Sequence, residues 1–135
     1  MRRRQILKYV AAAATVNALK PASAAEGAVD FSPELYAEVL DSGKPFMLGF
    51  HADWWSVCAI QERTVSALIA NNPEYSSIKI IRVDWTEHRK SPVVKELRIP
   101  RRSTLVMFKG GKEIARVIAQ TNKSVIEDLF KAAIS

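Results

Sequence analysis

The sequence predicts an α/β protein, a mixed central β-sheet with helices on both faces. Three observations carry this. Short apolar runs of strand length alternate with helical segments from residue 26 to the end. Two of the helices open on a Ser-Pro pair, Ser32-Pro33 and Ser91-Pro92. A Gly-Gly pair, Gly110-Gly111, joins the last two strand runs, so an antiparallel hairpin is added to a parallel alternation.

Ala28 to Phe31 is the first candidate strand. Ser32 then serves as a helix N-cap. Pro33 follows in the first turn, where its missing N–H costs nothing, and Glu34 lies at the positive end of the helix dipole. Leu35, Ala37, Val39 and Leu40 continue this helix and Gly43 stops it. Pro45 to His51 (PFMLGFH) reads as a buried strand. The spacing predicts a second helix over 56–71, with Ile60, Thr64, Ser66, Ala67, Leu68 and Ala70 compatible and Asn71-Asn72-Pro73 ending it. Ile78 to Val83 is the next apolar strand. Ser91-Pro92 starts a short helix by the same device as Ser32-Pro33, with Val93, Val94 and Leu97 as its apolar side. Thr104 to Lys109 and Lys112 to Ile118 flank the two glycines, and a helix from Lys123 to Ala133 closes the chain. The order β-α-β-α-β-α-β-β-α implies parallel pairs with right-handed crossovers before the terminal hairpin. No repeat, linker or low-complexity tract interrupts it.

With 135 residues and 48% apolar residues, one domain with a substantial core is expected. The formal charge of +6 could suggest a nucleic-acid partner, but its placement argues otherwise. Arg2, Arg3, Arg4, Lys8 and Lys20 all lie in the first 24 residues, which hold no acid. The remainder is close to neutral and has no general footprint for a phosphate backbone. No apolar run approaches the roughly 18 residues of a membrane helix.

Residues 1–25 read as a targeting leader. Basic residues open it (RRRQILK), an alanine-rich, weakly apolar stretch runs from Tyr9 to Leu19, and small residues end it at Ala22-Ser23-Ala24-Ala25. Cleavage is expected after Ala24 or Ala25. Arg3 and Arg4, a polar residue, then Ile6, Leu7 and Lys8, resemble the twin-arginine export signal. A general secretory signal is the alternative. Either route ends in the periplasm or otherwise outside the cytoplasm, and leaves residues 26–135 as the folded domain with no membrane association.

The segment FHADWWSVC, from Phe50 to Cys58, resembles the active-site segment of the thioredoxin family: an apolar strand, then A-[DE]-W-C-x-x-C, then a helix. The resemblance extends through VDWTE (Val83 to Glu87) and TLVMFKGGKEIAR (Thr104 to Arg116), in order and spacing. It implies a thioredoxin fold and thiol–disulfide chemistry with protein thiols or disulfides as partners, without a cofactor. In the family the first cysteine attacks a substrate disulfide as a thiolate, and the second, three residues on, resolves the mixed disulfide. Here Trp55 stands at the attacking position and Cys58, the one cysteine of the chain, at the resolving position. The family's cis-proline position carries Ser103, preceded by Arg102. A trans peptide is expected there, because a cis bond before a non-proline residue costs about 2.5–4 kcal/mol. Gly49 aligns with the family's buried acid.

Two functional readings follow. Cys58 acts as at most a monothiol, favoured by the helix N-terminus and the nearby Arg101 and Arg102. Alternatively, Cys58 is a small buried residue, and the surface around Trp54, Trp55, Arg102, Ser103 and Thr104 binds a peptide or protein partner without sulfur exchange. Trp54 matches the family's tryptophan before the motif. Trp55 is a lid, an exposed recognition aromatic, or a one-base change from a cysteine codon. His51 is either a proton carrier for Cys58 or a structural histidine. Asp53 supports the loop, and Asp84 and Glu87 read as loop acids. Arg98, Arg101 and Arg102 form a basic group that is either solvated surface or a site for an acidic partner or a carboxylate. Two histidines and one widely spaced cysteine do not make a metal site, so none is expected. We expect a monomer.

Overall fold

The computed structural model describes residues 27–135; the expected leader, residues 1–25, lies outside the described residues. The five strands are β1 (Ala28–Asp30), β2 (Phe46–His51), β3 (Lys79–Asp84), β4 (Thr104–Lys109) and β5 (Lys112–Ile118). The α-helices are α1 (Pro33–Ser42), α2 (Ser56–Asn71), α3 (Trp85–His88), α4 (Pro92–Leu97) and α5 (Lys123–Ile134), with a 3-10 turn at Pro73–Tyr75. The sheet order is β1-β3-β2-β4-β5. β3 pairs in parallel with β1 and β2, and β4 pairs antiparallel with β2 and β5.

The local signals act as the sequence implies. Ser32 Oγ accepts the Leu35 N–H at 3.0 Å, Pro33 occupies the first helical turn, and Gly43 ends α1 with φ 71°. Gly110 and Gly111 both hold positive φ, at 66° and 78°, which a two-residue hairpin turn demands. The hairpin tip is pinned to the end of α1 by the Gly110 N–H, which donates to the Gly43 carbonyl at 2.9 Å.

Two local expectations need correction. Ser91 precedes Pro92 but its hydroxyl donates to the His88 carbonyl at 2.7 Å and does not cap α4, because the chain before it is already turning out of α3. The VDWTE stretch is not a plain loop: Asp84 Oδ1 accepts the Thr86 and Glu87 N–H groups at 2.9 and 3.4 Å and starts the one-turn α3. Pro73 ends α2 as expected and also opens the 3-10 turn.

Alternation along the strands divides the core in two. Phe46, Leu48, Phe50, Ile81, Val83, Val106 and Phe108 face α1 and α4. Met47, Ile80, Leu105 and Met107 face Val65 and Leu68 of α2 and Ile126, Leu129 and Phe130 of α5. Gly49 and His51 share the second face by the same alternation. That face leads to the head of α2, where the site lies.

Candidate functional site

The β2–α2 loop, residues 52–55, and the 98–103 loop before β4 meet at the head of α2. Cys58 is the third residue of α2 and only 2% exposed. Its Sγ accepts the Ala52 N–H at 3.4 Å and lies 2.7 Å from Ser103 Oγ. Trp55 is the residue before α2, and an indole offers no acceptor, so the helix begins without a side-chain cap.

Ser103 is fully buried and adopts φ 64°, a left-handed conformation that costs a non-glycine residue about 1–3 kcal/mol. Its surroundings over-determine it. The Ser103 N–H donates to the Phe50 carbonyl at 2.7 Å, and the Ser103 carbonyl accepts from Ala119 N–H at 2.8 Å and from Gln61 Nε2 at 3.0 Å. Gln61 Nε2 also donates to the Gln120 carbonyl at 2.9 Å. The described peptide bonds are all trans, including the one before Ser103. Thr104 is buried too, and its hydroxyl donates to the Arg101 carbonyl at 2.7 Å.

On the outer side, the Arg102 guanidinium lies 3.9 Å from the Trp55 ring centre and 4.7 Å from that of Trp54. The two indoles meet edge to face at 5.9 Å. Trp54 is 63% exposed, and its Nε1 donates to Thr86 Oγ1 at 3.4 Å, joining the loop to α3.

His51 is buried, with Nε2 3.2 Å from Asp53 Oδ1. Asp53 also faces Arg82 at 3.6 Å, and Arg82 bonds Glu62 of α2 at 3.0 Å. This chain of polar side chains ties β2, β3 and α2 together beside the loop. Among the described residues, no hydrogen bond joins His51 to Cys58. Gly49 lies beside a cavity of about 40 Å³ that reaches Met47, Cys58, Val65 and Leu105. An added Cβ at Gly49 would meet Leu105 Cδ2 at 3.4 Å. The place of the family's buried acid is thus apolar space.

The structure therefore brings Cys58, Ser103, Trp55, Trp54 and Arg102 to one spot, with Arg101 adjacent and Thr104 turned into the loop. Sequence reasoning missed Gln61, Glu62, Arg82 and Thr86. A glutamine three residues after Cys58, on the same helix face, was the available signal for Gln61; the others are polar residues whose partners lie 20 to 32 positions away. Among the described residues, no group of three His, Cys, Asp or Glu side chains is placed to hold a metal ion, and no helix is long and apolar enough to cross a membrane.

The sheet order, the terminal hairpin and the cysteine at the head of α2 define a thioredoxin-fold protein with one sulfur at its site. The family model described as Thioredoxin matches residues 28–132, and this chain belongs to the thioredoxin family. It is 31% identical over 98 residues to a thioredoxin of Porphyra purpurea, covering 73% of this chain and 88% of that one. It is 32% identical over 94 residues to thioredoxin 1 of a Nostoc species, covering 70% and 84%. Among solved structures, the Trxlp protein of Edwardsiella tarda superposes with a TM-score of 0.70 at 26% identity, covering 76% of this chain and 97% of that one.

Proposed function

We propose that this chain is an exported, thiol–disulfide oxidoreductase-like member of the family whose sulfur chemistry stops at one thiol, Cys58. One observation carries the reading. Cys58 Sγ sits in the first turn of α2, facing the Ala52 N–H and the Ser103 hydroxyl, with Trp55 where an attacking sulfur would stand.

The chemistry open to such a site is a single exchange. The Cys58 thiolate attacks one sulfur of a partner disulfide, that S–S bond breaks, and the partner's other sulfur leaves as a thiolate. The product is a disulfide between Cys58 and the partner. The chain has no second cysteine to resolve it, so an external thiol must. Because the sulfur is 2% exposed, exchange requires one of the two covering loops to open. Residues 1–25 supply the motivation for export.

Two measurements test this. Cys58 should react with an aromatic disulfide reagent in the native protein, and Cys58→Ser should abolish the reaction. Reaction only after denaturation rejects the monothiol reading. Reduction of a protein disulfide should be absent in the wild type and rise in Trp55→Cys. The burial of Cys58 favours a second reading, a non-catalytic binding module, which predicts partner binding unchanged by Cys58→Ser.

A further inference from the structure

The two loops beside Cys58 hold three N–H donors that lie just beneath the surface without an acceptor among the described residues. Trp55 Nε1, Arg101 Nε and Arg102 Nε are each buried and without a hydrogen-bond partner among the described residues. Arg98, Arg101 and Arg102, like Arg63 and Arg89, also lack any described carboxylate within ion-pair distance, whereas Arg82 has two and Arg116 one. A buried donor left unpaired is costly, and two of these three belong to cations, so an acceptor that carries negative charge would satisfy them best. A guanidinium presents a planar fork that matches a carboxylate in two-pronged geometry.

We infer that the Trp54–Trp55–Arg101–Arg102 surface docks an acidic peptide segment of a partner protein, with a carboxylate on the arginines and the chain laid along Trp54. The charge is complementary, and it extends beyond what one carboxylate needs, since Arg98 lies on the same loop. Trp54, 63% exposed, offers a flat apolar face beside the arginines, and buried Trp and Arg dominate the energetics of protein interfaces. A uniform polyanion fits less well, because Trp54 Nε1 contacts Thr86, whose neighbours in sequence include the acids Asp84 and Glu87. Docking swings the Arg102 guanidinium from the indoles toward the carboxylate, exchanging a cation–π contact for charge-assisted hydrogen bonds. No sulfur takes part, so this surface stands whether or not Cys58 exchanges disulfides.

The test is a titration of the full chain with a short Gly/Glu peptide, its Gly/Gln counterpart, sodium acetate and inorganic polyphosphate, read by tryptophan fluorescence. Trp54 and Trp55 lie in the site and report on it directly. The Glu peptide should bind saturably, at least about tenfold tighter than the Gln peptide, and more weakly as salt rises. Arg102→Gln should lose about tenfold, Arg102→Lys less, and Cys58→Ser nothing. The arginines of residues 2–4 are present in every variant, so the Arg102 difference isolates the loop. Circular dichroism checks folding, and Arg101→Gln carries the same test if Arg102→Gln does not fold. Equal binding of the Glu and Gln peptides, affinity unchanged in the arginine variants, saturation by acetate at the peptide's affinity, or polyphosphate binding as tightly as the Glu peptide would each overturn the proposal.

Discussion

The two faces of the sheet are built from alternate residues of the same strands, yet they are packed differently. Toward α1 and α4, Phe46 and Phe108 stack at 4.6 Å with their rings 5° from parallel, and Tyr36 sets its ring edge against both. Toward α2 and α5, the same strands present Gly49, His51 and Arg82 among the apolar residues, with a cavity beside Gly49 and a polar knot of Cys58, Gln61 and Ser103 at its end. The first face is held by apolar area and aromatic geometry. The second is held partly by hydrogen bonds that reach across 42 to 59 positions in sequence, and the site lies at its end. Apolar packing dominates one side of the sheet, and the candidate site lies on the other.

Substitutions on each face should sharpen that division. The largest effect is expected from Phe108→Ala, which removes one ring of the stack and leaves a cavity in the first face, a loss of about 3–5 kcal/mol measured by urea unfolding. A loss below about 1 kcal/mol would mean that this face is not the stabilising one. Gln61→Leu comes next. It leaves the Ser103 and Gln120 carbonyls without their shared donor, at about 1–3 kcal/mol, and it should also raise the rate at which Cys58 reacts with a thiol reagent, because the 98–103 loop loses its anchor. Lost stability with no change in thiol reactivity would separate Gln61 from the site.

A pH titration probes the α5 side of the second face. Tyr75 donates to Glu127 Oε2 at 2.7 Å, and this hydrogen bond, followed by burial and the Glu127 charge, pushes the Tyr75 pKa up to about 12. The folded state thus holds the phenol proton more tightly than the unfolded chain, whose tyrosines titrate near about 10. The stabilisation is fully present below pH of about 10 and is lost as pH rises through about 12. Unfolding measured from pH 9 to 12 should show a decline that flattens in Tyr75→Phe. The smallest expected effect is a gain. Gly49→Ala places a methyl group against the flexible end of Leu105 and removes a glycine from a strand interior, for about 0.5–1 kcal/mol of added stability by urea unfolding. A loss of similar size would mean that the space beside Gly49 cannot accept a side chain.

Much of this was legible because the signals are local. Ser32-Pro33 starts a helix whose cap bond spans three residues, and the hairpin glycines satisfy a backbone requirement at their own positions. Strand alternation fixes which residues share a face. Cys58 could be placed at the head of α2 from the motif alone. The Ser91-Pro92 pair shows the limit of such reading: the same dipeptide as Ser32-Pro33 sends its hydroxyl backwards because the preceding helix supplies a carbonyl. The one-turn α3 was missed because four residues carry no helical period, and only the Asp84 cap distinguishes it from a loop.

By itself the sequence determined the order of the strands and of every helix but the one-turn α3, the two faces of the sheet, and the solitary cysteine with an indole in place of its partner. Those features follow from side-chain period, backbone allowance and residue chemistry, each of which acts over a few positions. Only the tertiary structure decided that Ser103 is locked left-handed against Cys58, that Gln61 holds that turn, and that Arg102 rests on two tryptophans with its Nε unpaired. Those contacts join residues more than 40 positions apart, and they exist only once the packing of α2 against the sheet has brought the two loops together.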